Sequence, residues 1–254
     1  RLGELPGFTV STFVRGDDVA ALPELVAKAD SVVHLAGENR PQDENAFTEV
    51  NVGLTDTICN AIRAEFVQTG RRLSLLFASS TQAEIDNAYG QSKLAAEKSV
   101  QALATDIGCS VVLFRLPGVF GKWSRPQYNS VVATFCHNIA RGIPIHVNDP
   151  TVSLRLVYID DVVDSFLDTL TLPSPGISNG LVQPEYIVSI GQLADQIKAF
   201  NGCRGKGLQT ERVGAGFIRA LYATYLSFLP TKDFTYKVPK YQDPRGRFVE
   251  ILKT

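Results

Sequence analysis

Apolar positions in the first half of the chain follow two alternating rhythms. Short, nearly continuous apolar runs cover 31–37, 73–80 and 110–114. Runs of this length mark parallel strands covered on both faces. Between them the period lengthens. Residues 18–29 are amphipathic, 47–67 place Ile58, Ile62 and Phe66 on one helical face, and 89–107 read as a helix whose exit is Gly108. Residues 7–14 read as one more strand. Repeated strand–helix–strand units with short connections predict an α/β fold with a doubly wound parallel sheet. Right-handed crossovers then put helices on both faces and the ligand beyond the C-terminal strand ends.

The later half is less regular. Helices are expected at 129–141, 160–172 and 191–200, separated by loops bearing proline and glycine, which suits a smaller lobe folding over the ligand. An aromatic-rich helical pattern at 221–229 could serve a partner or a further domain. Glycine and lysine crowd 201–207, an expected surface loop. A chain of 254 residues accommodates a Rossmann-type core, mainly 1–125, and a substrate lobe, mainly 126–232. Residues 233–254 then form a linker and one strand. Residues 1–5 resemble the last turn of a helix. The first strand and the glycine-rich loop that open such folds are missing from the sequence as given, and the reading is truncation or lack of order, not a different fold.

Composition narrows the classes without naming one. The chain is 44% hydrophobic and 20% charged with a net charge of −1, so nothing points to nucleic acid or an acidic membrane as partner. No apolar run reaches the length of a membrane span, and no secretory signal opens the chain. The four cysteines, Cys59, Cys109, Cys136 and Cys203, form no CxxC pair, which suits free thiols in a reducing cytosol. His34, His137 and His146 lack metal-ligand spacing, so no metal site is expected. The absence of methionine has no account.

The chemistry concentrates in Tyr89-Gly90-Gln91-Ser92-Lys93, which opens a helix after a buried strand ending in Ala78-Ser79-Ser80-Thr81. Tyr and Lys four apart share a helical face. A free phenol titrates near ~10; a nearby ammonium favours the phenolate and lets it trade protons near neutrality. A hydroxyl from the strand end can hold a substrate oxygen. These parts suffice to protonate a ketone while a nicotinamide supplies hydride. An isolated Tyr–Lys pair is more often a surface pair; the strand and the Ser-Ser-Thr before it reverse those odds.

The segment resembles the active site of short-chain dehydrogenases/reductases, and the order of elements resembles their extended, nucleotide-sugar branch over nearly the whole chain. His34-Leu35-Ala36-Gly37 is similar to the strand-end turn against the cofactor, and Asn51-Val52 to the helix that follows. Arg115-Leu116-Pro117-Gly118-Val119-Phe120-Gly121 is similar to the strand exit beside the nicotinamide, and Tyr158-Ile159-Asp160-Asp161-Val162 to a later strand-to-helix step. More narrowly, Ala36-Gly37-Glu38-Asn39-Arg40-Pro41, Ser80-Thr81-Gln82-Ala83, Asp86-Asn87-Ala88-Tyr89-Gly90 and Gly121-Lys122-Trp123 resemble bifunctional epimerase/reductases that make UDP-N-acetyl-6-deoxytalose for capsule or O-antigen. The resemblance implies a cytoplasmic reductase of a UDP-linked 4-keto-6-deoxy sugar with Ser80, Tyr89 and Lys93 as catalytic residues. It implies a dinucleotide against Leu35, Ala36, Gly37, Tyr89, Lys93, Pro117 and Val119, and a homodimer. Substrate is expected at Arg40, Ser80, Thr81, Gln82, Arg125 and Asn129.

Several points stay open in the sequence. Ser79, Ser80 and Thr81 all offer a hydroxyl, with Ser80 fitting the family register best. Only eight residues separate Ser80 from Tyr89, a shorter loop than most extended members carry. Arg155 is offset by one residue from the family's arginine, which flips its face in a strand and makes a surface role as good a reading as a diphosphate ligand. Arg15 follows the strand read at 7–14, where an arginine can pair with the 2′-phosphate of NADP(H). Asp17 and Asp18 make the sign there mixed, and Asp18 also suits a helix cap; the balance favours NADP(H). Arg40 and Arg125 offer planar forks for diphosphate oxygens, against exposed solvated charge as the alternative. Tyr128 and Trp123 could stack on uracil, core packing being the better expectation for Trp123. A dehydratase or epimerase is the rival enzyme, but dehydratases commonly carry Asp-Glu where this chain has Gln82-Ala83. A silent NADP-binding scaffold is the non-enzyme rival. Residues 241–250 resemble the opening strand of cupin-type keto-sugar epimerases, implying an epimerase domain missing from this sequence; a polar turn and a strand is the plainer reading.

Overall fold

The computed structural model describes residues 2–41, 43, 45–172, 174–203, 213–235 and 237–249. In chain order the elements are α1 (Leu22–Ala27), β1 (Ser31–His34), α2 (Leu54–Thr69), β2 (Ser74–Ser80), α3 (Ala88–Ile107), β3 (Ser110–Leu116), β4 (Gly118–Phe120), α4 (Val131–Ala140) and β5 (Ser153–Tyr158). Then follow α5 (Ile159–Thr171), β6 (Gly176–Gly180), β7 (Glu185–Ser189), α6 (Ile190–Gly202), α7 (Gly216–Ser227), β8 (Lys240–Asp243) and β9 (Gly246–Val249). They fall into two compact units. The first is Arg1–Pro117 with Asp161–Gln183, so a later segment returns to the core; the second is Gly118–Asp160 with Pro184–Thr254.

The first unit holds a wholly parallel sheet in the order β1-β2-β3-β6. Leu75, Phe77, Val111 and Leu113 pack from the strands against Ile58 and Ile62 of α2 and Val100, Leu103 and Ile107 of α3. Each such side chain removed from water contributes about 1.5–3 kcal/mol. Both long helices end on a left-handed glycine, Gly70 at φ 76° and Gly108 at φ 66°, the conformation that glycine adopts without a Cβ penalty. On β6, a Cβ at Gly180 would run into the Phe114 ring, so the edge strand closes only on a bare backbone.

Three local expectations change. Residues 7–14 join no ladder among the described residues; Val10 and Val14 stay exposed, and Phe13 leans on the core. An alternating pattern needs a neighbouring strand to become a strand, and none accepts these hydrogen bonds here. The helix read at 47–67 opens as a π-helical stretch, Phe47–Gly53, before α2 begins. Of the loop read at 201–207, residues 201 and 202 belong to α6, and 204–207 lie outside the described residues.

In the second unit β4 pairs parallel with β5, and β5 antiparallel with β7. Phe120, Phe135, Leu193, Ile197, Phe200, Leu221 and Tyr225 form its core beneath α4, α6 and α7. Strands β8 and β9 make an exposed antiparallel hairpin across the turn after Asp243. The stretch read as one opening strand is therefore a hairpin, with Glu250 outside the described residues.

Candidate active site

Strand β2 delivers Ser80 to the end of the sheet, where its Oγ accepts the Gln82 amide at 3.1 Å and caps a single 3-10 turn, Thr81–Glu84. Asn87 then accepts the Gly90 amide at 2.7 Å and launches α3. These two caps compress the connection from Ser80 to Tyr89. They also explain Gly90, because a Cβ there would collide with the carbonyl oxygens of both Gln82 and Ile85. Tyr89 comes out half-buried, its ring 5.8 Å from that of Phe47. Burial raises its pKa above the ordinary phenol value, and a hydrogen bond with the Ser80 hydroxyl pulls part of the way back. The expectation that a neighbouring ammonium lowers this phenol is thus corrected: desolvation dominates, and the opposing pull comes from Ser80. Of the three candidate hydroxyls, Ser79 is buried and donates to Glu97 Oε1 at 2.5 Å, and Ser80 is the one that hydrogen-bonds the phenol.

Lys93 lies one turn further along α3, buried, with Nζ donating to the Ala78 carbonyl at 3.2 Å and 5.4 Å from the Phe77 ring centroid. Burial lowers its pKa to about 8, against the opposing pull of the Glu97 carboxylate. An ammonium has three donors, and one of these is engaged among the described residues, so it can serve further oxygens. Gly37 keeps the approach open: a Cβ there would stand 2.9 Å from Lys93 Nζ and 3.0 Å from Asn51 Oδ1. Leu35, Ala36 and Gly37 lie exposed just past β1. An apolar shelf, a bare glycine and a buried ammonium with spare donors fit the ribose and nicotinamide end of a dinucleotide.

The turn after β1 is held from below. Asn51 Oδ1 accepts the Glu38 amide at 2.7 Å, and its Nδ2 donates to the Glu38 carbonyl at 3.0 Å and to Ser92 Oγ at 2.9 Å. Thr55 donates to the Asn51 carbonyl at 2.7 Å and bonds His34 Nε2 at 2.9 Å. With the threonine proton committed, that imidazole nitrogen is the donor. Burial first, and Lys93 second, push His34 down to about 4. Arg15 donates to the buried Glu38 carboxylate at 2.8 Å, and the Asn39 and Arg40 amides donate to its other oxygen. Arg15, the Asn39 bond and the Arg40 bond hold that carboxyl below its ordinary pKa. Asp18 caps the first helical turn, and Asp17 accepts the Val14 amide. The side chain of Arg40 points to solvent.

Pro117 closes the first unit after β3, while Val119, Arg125 and Asn129 belong to the second. There Arg125 lies 5.3 Å from the Tyr128 ring, and Asn129 is exposed beside Ser130, which caps α4. Trp123 is not a core residue: it is 83% exposed at φ 65°, with Lys122 Nζ 5.6 Å from its ring. A left-handed backbone holds the indole out of the unit that would have packed it. Arg155 pairs with Glu185 through contacts of 2.5 and 3.0 Å. Glu97, fully buried on α3, receives no role in the sequence reading, although its spacing of four from Lys93 was the available signal. No group of three or more potential metal ligands occurs among the described residues.

A strand-end serine, a tyrosine and a lysine on a parallel α/β sheet define a short-chain dehydrogenase/reductase, and the chain belongs to the NAD dependent epimerase/dehydratase family, which it matches over residues 8–183. It is 51% identical over 253 residues to the UDP-2-acetamido-2,6-beta-L-arabino-hexul-4-ose reductase of Pseudomonas aeruginosa strain PA103, an alignment covering 100% of this chain and 67% of that protein. The capsular polysaccharide assembling protein CapF of Staphylococcus aureus superposes with a TM-score of 0.80 at 36% identity, over 94% of this chain and 64% of CapF. The chain therefore spans less than two thirds of CapF. UDP-glucose 4-epimerase of Thermus thermophilus, solved with NAD, shares the fold at a TM-score of 0.66 and 19% identity, over 83% of this chain and 82% of the epimerase.

Proposed function

We propose that this chain is an NADP(H)-dependent reductase acting on the 4-keto group of a UDP-linked 2-acetamido-2,6-dideoxy hexulose, in the cytoplasm, on a route to capsule or O-antigen. The observation that carries the reading is a half-buried phenol kept protonated by its surroundings and hydrogen-bonded to Ser80, one helical turn before a buried lysine. The 51% identical relative, named as the reductase of such a sugar, supports the substrate class.

When bound, the nicotinamide supplies hydride to the carbonyl carbon. Ser80 Oγ donates to the carbonyl oxygen and orients it. Tyr89 Oη gives that oxygen its proton, and the raised pKa keeps the proton available near neutrality. Lys93, charged below about pH 8, stabilises the phenolate left behind. Thr81 and Gln82 sit on the turn that Ser80 caps, which favours them as neighbours of the sugar. The Arg125 fork suits diphosphate oxygens. Arg15, 80% exposed while anchored to Glu38, is the group offered to the 2′-phosphate of NADP(H). Glu84, the carboxylate that follows Gln82-Ala83, pairs with Arg115 at 2.8 Å, which disfavours it as the acid of a dehydratase.

Following NADPH oxidation with a UDP-4-keto sugar tests this reading directly. Tyr89→Phe should lower turnover about 10²–10⁴-fold with the melting temperature nearly unchanged. Near-normal turnover by that variant would remove Tyr89 as the proton donor.

A further inference from the structure

Glu97 is a carboxylate with no exposed surface in the middle of a helix, an expensive place for a charge unless it is answered. Ser79 Oγ donates to its Oε1 at 2.5 Å. Arg115 Nε lies 2.9 Å from Oε1 and 3.2 Å from Oε2, and Nη2 donates to Oε2 at 2.6 Å. The same guanidinium reaches Glu84 with Nη1 at 2.8 Å. One ionic cluster therefore ties α3 to β2, β3 and the turn that follows Ser80. The sheet register places Ser79 beside Arg115 and Ser80 beside Leu116, so the clamped residues are immediate neighbours of the proposed catalytic hydroxyl. Replacing such a cluster with apolar side chains is often neutral or stabilising. Its presence is therefore weak evidence of a stabilising role.

We propose that Glu97, clamped by Arg115 and Ser79, is a positioning residue of the reduction, acting through Lys93 one turn away and through the strand end that carries Ser80. The inference rests on the reductase reading above. The groups facing Lys93 are the Ala78 carbonyl and Phe77 ring from β2, Gly37 and Asn51 across the cofactor shelf, His34 from β1, and on its own helix Glu97 and the Tyr89 phenol, which burial keeps protonated. His34 is neutral above about pH 4, so among these groups Glu97 supplies the negative charge that keeps Lys93 an ammonium against its burial. Removing that charge makes Lys93 release its proton at lower pH.

Two readouts on the full chain test this. In the pH profile of kcat/KM, Glu97→Gln should move the alkaline limb down by on the order of 1 pH unit. The Lys93 resonance, followed by NMR in protein carrying isotope-labelled lysine, should shift its midpoint in the same direction without substrate. Because the single variant strands Arg115, the double variant Glu97→Gln with Arg115→Gln repeats both measurements with the two charges removed together. Folded variants whose limb and Lys93 midpoint match wild type overturn the proposal. So does loss of fold in both variants, which would make the cluster a folding element. A wild-type chain that reduces no keto sugar would sink the reductase reading instead, and the NMR midpoint would still decide the role of Glu97.

Discussion

Gly90→Ala sets two effects of opposite sign against each other at one residue of the catalytic helix. In open solvent the change should stabilise α3 by about 1 kcal/mol, the difference in helix propensity between alanine and glycine. Here the new methyl would fall well inside the roughly 3.3–3.6 Å of ordinary carbon–oxygen contact, against the carbonyls of Gln82 and Ile85 at once. Both obstacles are backbone, so no rotamer relieves them. Overpacking of this kind costs typically 1–3 kcal/mol, and the upper end applies where two fixed groups must move. The net effect should be roughly 2 kcal/mol of destabilisation, or about 4–8 °C in Tm for a chain of this size. The turn that gives way is the one capped by Ser80, and the helix start is the one capped by Asn87. A shift of about 1 Å between Ser80 and Tyr89 should cost on the order of 100-fold in turnover. Thermal melting and NADPH oxidation measure the two parts separately. A variant that melts at or above wild type and keeps its turnover would show that the helix and the turn do not press on each other as described.

Two further outcomes follow from the same geometry. Arg15→Ala should weaken NADPH about tenfold to a hundredfold, the worth of a hydrogen bond between charged groups, and leave NADH nearly unaffected; equal losses in titrations of both would show that Arg15 does not read the 2′-phosphate. His34 is buried and neutral with its pKa pushed down to about 4, while the unfolded imidazole titrates near ~6.5. The unfolded chain therefore binds a proton that the native one refuses, so stability falls by on the order of 3 kcal/mol as pH drops from about 6.5 to about 4. His34→Gln should flatten that part of a denaturation-versus-pH series, and an unchanged slope would remove His34 as its source.

The sequence disclosed those features whose local pattern and tertiary setting agree. Strands β1, β2 and β3 lie in nearly continuous apolar runs of the chain, mostly buried in β2 and β3 and half-buried in β1, so the pattern alone announces them. Strand β6, reading Gly-Ile-Ser-Asn-Gly, has no such pattern; it is a strand because β3 offers it hydrogen bonds and Phe114 has room for Gly180. Residues 7–14 fail the opposite way, with the pattern present and the partner absent among the described residues. Tyr89 and Lys93 were legible through their spacing, but the choice among Ser79, Ser80 and Thr81 depends on where each hydroxyl points. Glu97 drew no reading at all, because one carboxylate in a helical pattern carries no sign of the arginine that meets it from another strand. Trp123 was misjudged because large aromatics usually bury, whereas a left-handed backbone at φ 65° turns this one outward.

Helix α3 reconciles chemistry and stability by dividing them along its length. Tyr89, Lys93 and Glu97 stand at intervals of four on one stripe, polar groups facing into protein, a placement that costs free energy unless each is answered. Each is answered locally: the phenol by Ser80, the ammonium by the Ala78 carbonyl, the carboxylate by Ser79 and Arg115. Further along, Val100, Leu103 and Ile107 bury against the core, and Gly108 ends the helix. At about 1.5–3 kcal/mol for each buried aliphatic side chain, that apolar half holds the helix in place whatever the protonation of the other. The N-terminal half can then keep a lysine near its titration point and a phenol above its own. Proton movement in the site thus changes charge within a frame that the distal half keeps fixed, and a change to Tyr89 should register in turnover more strongly than in melting temperature, whereas Glu97→Gln, which strands Arg115, should move both.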